Sequence, residues 1–255
     1  MNHSHASLPR LLFVTGSDTG VGKTYFSSLL VQQLGRAGFT VGACKPVETG
    51  CVLRGGRPRA ADGRVLFERA NAGQSEDEVC PWRFLEPVAP NVAARLEGVS
   101  LERELVLRHI FAQAQRAPML LVEGAGGICV PFGDTWTFAD LIVDAAAKGA
   151  DVGVVVVIGS KLGAINHATL TFEALRARGI PVAGYVLNDC ARPAEENAGH
   201  RTALETNRVE IRRAAARYGI SELAYLPWGE HGDDVSLAYE IMSFFEREEL
   251  HAIEA

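Results

Sequence analysis

The segment Gly16-Ser-Asp-Thr-Gly-Val-Gly-Lys-Thr24 limits what this chain can fold into more than any other stretch. It fits G-x-x-x-x-G-K-[ST], a phosphate-binding loop, and its flanks agree. Leu11-Leu-Phe-Val14 ahead of it reads as a buried parallel strand. Behind it the apolar residues of Tyr25–Leu34 recur at helical spacing, with Gly35 and Gly38 to stop the helix. Gly16, Gly20 and Gly22 let the backbone turn its N–H groups toward an anion, and the positive end of the following helix adds to the pull. Lys23 then reaches the β- and γ-phosphates, and Thr24 offers a hydroxyl to Mg²⁺. An ordinary Gly-rich turn needs no such strand and helix around it. The loop predicts a nucleoside triphosphate site cradled by Thr19, Gly20, Val21, Gly22, Lys23 and Thr24.

The rest of the chain alternates strand-like and helix-like segments, which points to an α/β fold whose mostly parallel sheet is covered by helices on both faces. With 255 residues, one domain over 10–255 after a loose polar tail at 1–9 is the economical organisation. Strands are expected at Phe39–Cys44, Met119–Val122, Val152–Ile158, Val182–Leu187 and Glu222–Leu226. Helices are expected at Arg64–Asn71, Leu101–Gln115 with Ser100 as N-cap, Phe138–Lys148, Ala164–Arg178, Asn207–Tyr218 and Ser236–Leu250. Gly55–Gly63 reads as a mobile surface loop, Pro81–Glu97 as irregular because it holds three prolines, and Arg192–Arg201 as polar loop.

A net charge of -6 argues against nucleic acid or an anionic membrane as partner. Five scattered cysteines without a C-x-x-C pair suggest neither a disulfide framework nor a zinc site. The first nine residues lack the apolar centre of a signal peptide, and no run reaches the ~18 apolar residues of a membrane span. A cytoplasmic enzyme is the expectation.

In an open parallel sheet, ligands gather beyond the carboxyl ends of the strands, and polar residues follow several of the expected strands here. Pro46 holds Lys45 extended, which aims its ammonium at the phosphate end, and Thr49 adds a hydroxyl. Glu123 directly follows four apolar residues, a costly place for a carboxylate unless something pairs it. Mg²⁺ is the natural partner near a phosphate loop, with a helix cap or a lysine as the alternative. Asp62 is the candidate second carboxylate for the metal, or else the N-cap of the helix after it. Gly124, Gly126 and Gly127 let the backbone pass close to substrate. Gly159-Ser-Lys-Leu-Gly-Ala-Ile-Asn-His167 forms a second loop-to-helix anion site. Asn188 and Asp189, with Pro227 and Trp228, suit a nucleotide base, the amide by hydrogen bonding and the ring by packing. His109, His200 and His231 show no ligand spacing and read as surface residues.

Taken together, Gly16–Thr24, Lys45-Pro-Val-Glu-Thr-Gly50, Val122-Glu-Gly-Ala-Gly-Gly127, Gly159–His167 and Gly184-Tyr-Val-Leu-Asn-Asp189 resemble the dethiobiotin synthetase family, in order and spacing over most of the chain. The resemblance implies a P-loop NTPase-type fold, a homodimer, and ATP and Mg²⁺ as cofactors. It implies that diaminopelargonic acid and CO₂ are the substrates of a cyclo-ligase in biotin synthesis. One amine becomes a carbamate, the carbamate attacks the γ-phosphate, and the second amine closes the urea. Carried over, Lys23, Lys45 and Thr49 are catalytic, and Thr24, Asp62 and Glu123 hold the metal. Thr49, Gly124, Gly127, Gly163, Ala164 and Asn166 meet the substrate, with its carboxylate at the last three, near the subunit boundary. Gly20 stands where some members carry an acid, and Asn91 stands where a histidine is expected.

Rival readings share the loop. Partition- and division-type ATPases carry a lysine after the first loop glycine, where this chain has Ser17. Cobyric-type amidotransferases need an added glutaminase, for which 255 residues leave no room. A small-molecule kinase and a non-enzymatic nucleotide-binding module stay open on the loop alone.

Overall fold

Six parallel strands make the central sheet of the computed structural model, which describes residues 9–190, 198–229 and 235–254. They are β1 (Arg10–Gly16), β2 (Val41–Cys44), β3 (Met119–Gly127), β4 (Asp151–Gly159), β5 (Val182–Asn188) and β6 (Glu222–Leu226), in the spatial order β6-β5-β4-β1-β3-β2. Successive residues of β1 serve opposite faces: Leu11 and Phe13 join one apolar layer, Leu12 and Val14 the other. The valine run of β4 splits likewise, with Val154 and Val156 on the first face and Val155 and Val157 on the second. Burial on both faces is why these strands read as continuous apolar runs rather than as alternation.

Helices Arg103–Ala114, Phe138–Ala147 and Ala164–Arg176 cover the first layer through Ile110, Leu141 and Phe172. Lys23–Arg36 and Ser236–Glu254 cover the second through Phe26, Leu30, Ile241 and Phe245. Each such side chain contributes about 1.5–3 kcal/mol when fully buried. That frame offsets the cost of the few charged groups held inside it. Among the described residues, no helix is long and apolar enough to cross a membrane.

The expected strands are all present, but local chemistry moves several other elements. Gly55–Gly63 is not a plain loop: Val52–Arg54 and Arg57–Arg59 pair as a hairpin, turning on Gly55 and Gly56 at φ 57° and 75°. The helix after it starts early, spanning Ala61–Arg69. Pro81–Glu97 holds a short strand, Trp82–Arg83, paired with Val47–Glu48. It also holds a helix, Pro90–Leu96, with Pro90 in the first turn, where its missing N–H has no partner to lose. Ser100 does not cap the next helix, because that helix begins at Arg103 with Glu102 at its N-cap. The helix expected at Asn207 already begins at Ala198, while 192–197 and the tail at 1–8 lie outside the described residues. His109 is not a plain surface residue: its Nε2 lies 2.8 Å from the Glu78 carbonyl and its ring meets Trp82 edge-on. The His200 side chain and His231 lie outside the described residues.

Candidate active site

Helix Lys23–Arg36 starts without a side-chain cap: its N-cap residue is Gly22, in the left-handed region at φ 89°. The first-turn N–H groups therefore face outward, the arrangement that binds an anion. A Cβ on Gly22 would lie 2.2 Å from Asn188 Nδ2, so both the φ and the neighbour demand glycine here. Asn188, at the end of β5, donates to the Val21 carbonyl at 2.9 Å and so fixes the loop from below. The Val21 side chain is core, and its part in the loop is played by backbone.

Above the loop, β2 and β3 bring in opposite charges. Glu123 does not follow its strand; β3 runs on to Gly127, with a register shift beside β1, and holds the carboxylate fully buried. Its Oε1 accepts from Thr24 Oγ1 at 2.8 Å and from Lys45 Nζ at 2.6 Å. Lys45, also buried, donates to the Gly124 carbonyl at 3.0 Å and lies 3.2 Å from Asp62 Oδ2. Burial alone would pull the Lys45 pKa down, but Glu123 and then Asp62 outweigh it, so the ammonium stays charged above its usual range. Lys23 meets the opposite balance. Burial, with Lys45 nearby, lowers it to about 8. An arriving polyphosphate would add negative charge beside that ammonium and raise it again.

Lys23, Thr24, Lys45, Thr49 and Asp62 all line one cavity of about 380 Å³, with Thr19 and Gly20 at its loop side. A second cleft of about 410 Å³ continues from Gly20 and Gly22 to Asn188, Asp189, Pro227 and Trp228. Tyr25 lines both. Asp189 there accepts from the Tyr225 hydroxyl at 2.6 Å.

Other expected residues fall elsewhere. Gly124 faces Phe138, whose ring a Cβ would approach to 2.6 Å, and not the cavity. Gly127 borders a groove of about 420 Å³ that runs from Asp18 and Thr19 past Val130 to His167 and Leu170. Gly163 and Asn166 border a separate depression of about 680 Å³, at the start of helix Ala164–Arg176, and Ala164 is buried beneath it. Asn91 lies in the first turn of helix Pro90–Leu96 with its Oδ1 buried.

Comparison with known proteins decides which rival this geometry serves. A family profile described as an AAA domain matches residues 10–234. The ATP-dependent dethiobiotin synthetase BioD 1 of Escherichia coli O157:H7 is 38% identical over 75% of this chain and 83% of its own. BioD of Anaeromyxobacter dehalogenans strain 2CP-C is 41% identical over 86% and 90%. The chain belongs to the dethiobiotin synthetase family. A ParA family ATPase from Chlorobium tepidum TLS also aligns, over 93% of this chain and 98% of its own, at a TM-score of 0.47 and 15% identity.

Two features of this family member escape a reading of its sequence. Asp18 ties the phosphate loop to the second loop through Lys161, whose Nζ lies 2.7 Å from Asp18 Oδ2. Both residues stand in quoted motifs, but only the sheet order that puts β4 beside β1 brings them together. Glu48 is buried and accepts from the backbone of Ala61, Asp62 and Gly63. Nothing local in the sequence marks it, because the helix it caps starts at Ala61 with only Ala60 at its N-cap, thirteen positions on.

Proposed function

We infer that this protein closes the cyclic urea of dethiobiotin, using ATP to carboxylate and cyclise diaminopelargonic acid with CO₂. The observation that carries this is the convergence of Lys23, Lys45 and Thr49 on one cavity over a phosphate loop. A carbamate oxygen attacking a γ-phosphate is an anion approaching an anion. It needs charge neutralised and atoms aligned more than it needs a general base. Lys23 and Lys45 supply two cations to one cavity, and the Thr19 and Thr49 hydroxyls hydrogen-bond the phosphate and carbamate oxygens. ADP leaves, the second amine attacks the carbonyl carbon of the carbamoyl phosphate, and phosphate departs with the former carbamate oxygen.

Thr24, Asp62 and Glu123 would hold Mg²⁺. The fit rests on Glu123, whose second oxygen, Oε2, is buried with no partner among the described residues while Oε1 already reaches the Thr24 hydroxyl. Mg²⁺ bound there supplies charge neutralisation to the β- and γ-phosphates. Asn188, Asp189, Pro227 and Trp228 take the adenine, and Gly127 with the groove beside it takes the aliphatic chain of the diamine. Its carboxylate reaches Gly163, Ala164 and Asn166.

A homodimer fits that placement. Leu162, in the turn before helix Ala164–Arg176, is 85% exposed beside the carboxylate site, and Leu170 on that helix is 54% exposed. We place the second subunit there, and the enzyme in the cytoplasm, where ATP is available and its five free thiols stay reduced. The test is labelled bicarbonate with the diamine and ATP. The reading expects acid-stable label in dethiobiotin, dependent on all three; ATP hydrolysis without labelled product would overturn it.

A further inference from the structure

Glu48 belongs to the Lys45–Gly50 segment and borders the same cavity as Lys45 and Asp62, yet its carboxylate is spent on the start of another element. Helix Ala61–Arg69 has Ala60 at its N-cap and no capping side chain of its own. Its first N–H groups are met instead by one carboxylate from a distant strand. Glu48 Oε1 accepts from Ala61 N at 2.5 Å and Asp62 N at 3.1 Å, and Oε2 accepts from Gly63 N at 2.8 Å. The same turn is held from the side, since a Cβ on Gly63 would lie 2.4 Å from that of Cys80. A carboxylate on a helix N-terminus is favourable in itself, and burial makes the bonds stronger than they would be in water.

The consequence lies one residue along. Asp62, in that clamped turn, carries its Oδ2 to 3.2 Å from Lys45 Nζ, although its side chain is 42% exposed. A half-exposed carboxylate on a short helix has few contacts to hold it in place, and a displacement of an ångström or so at such a site can cost about a hundredfold in rate. We propose that Glu48 is a positioning residue: it clamps the first turn of Ala61–Arg69 to the Lys45–Thr49 segment and thereby sets Asp62 opposite Lys45. This rests on the reading above that Asp62 serves the metal.

The test is a cycle of Glu48→Ala, Asp62→Asn and the double variant, read by kcat and by Mn²⁺ affinity of the enzyme–ADP complex from electron paramagnetic resonance. Glu48→Gln, which keeps one acceptor oxygen, takes the place of Glu48→Ala should the latter not fold. The expected result is a loss of kcat of about 10–100-fold in Glu48→Ala, with weaker Mn²⁺ binding and an ATP KM within about twofold. In the Asp62→Asn background the same change should cost less than about threefold, because residues acting as a unit are not additive. A full, additive loss in that background would overturn the proposal, as would wild-type kcat and Mn²⁺ affinity in Glu48→Ala with only its melting temperature lowered. Wild-type behaviour of Asp62→Asn would instead overturn the role given to Asp62, and the positioning with it.

Discussion

Burial lowers an ammonium's pKa unless an anion close by makes up for the lost water, and the two site lysines differ in how far that is so. Lys45 has Glu123 at 2.6 Å and remains charged, while Lys23 is reduced to about 8. Lys45→Ala is therefore expected to lower kcat by about 10²–10³ with little change in ATP affinity, the usual cost of one electrostatic stabiliser. Steady-state kinetics check it, and a loss of tenfold or less would make Lys45 a bystander. Lys23→Ala should abolish ATP binding in calorimetry, whereas near-normal affinity would remove it from the phosphate site. Glu123→Gln keeps the shape of the side chain but not its charge. Its Mg²⁺ half-saturation should rise at least about tenfold, and an unchanged metal titration would argue against Glu123 as a ligand.

At the scale of elements, the phosphate loop and sheet were legible because each rests on nearest neighbours in sequence. The glycines, Lys23 and the flanking apolar runs state the strand, turn and helix without help from the rest of the chain. What sequence could not give was anything set by long-range register. Glu123 looked like a residue past its strand because the bulge that lets β3 continue involves β1. The cap of helix Ala61–Arg69 comes from Glu48, thirteen positions earlier than the helix start, so no local signal marked it. Pro90 hid a helix because proline breaks helices everywhere but in the first turn. Two predictions belong here. Gly22→Ala puts a side chain at φ 89° and against Asn188, so ATP affinity should fall by more than about a hundredfold, and retention of binding would contradict the tight fit. Glu222 on β6 holds Arg212 and Arg208, at 2.5 and 2.7 Å. Burial raises the Glu222 pKa, but the two arginines outweigh it and hold it below the usual carboxylate range. Its contribution is thus present above the unfolded value and is lost as pH falls through the folded one. Glu222→Gln should cost about 1 kcal/mol at pH 7, since both arginines are partly exposed and screened. The difference from wild type in urea unfolding should shrink toward pH 3, and a difference constant with pH would refute the ion pairs as its source.

For the molecule as a whole, the sheet order puts the carboxyl end of β1 at the centre, with β3 and β2 carrying charge on one side and β4 and β5 carrying loops on the other. The phosphate loop, Lys45 and Glu123 thereby meet at one rim of the sheet. The exposed Leu162 carries a prediction about assembly: Leu162→Asp should give a monomer in sedimentation, with ATP affinity kept and the KM for the diamine raised at least about tenfold. A dimer with unchanged kinetics would move the interface elsewhere. The central claim is that a carbamate oxygen attacks the γ-phosphate between Lys23 and Lys45. Bicarbonate labelled with ¹⁸O, supplied with diaminopelargonic acid and ATP in unlabelled water over a few turnovers, tests it directly. The account predicts one ¹⁸O in each inorganic phosphate released, in step with dethiobiotin formed; phosphate free of label alongside labelled dethiobiotin would contradict it.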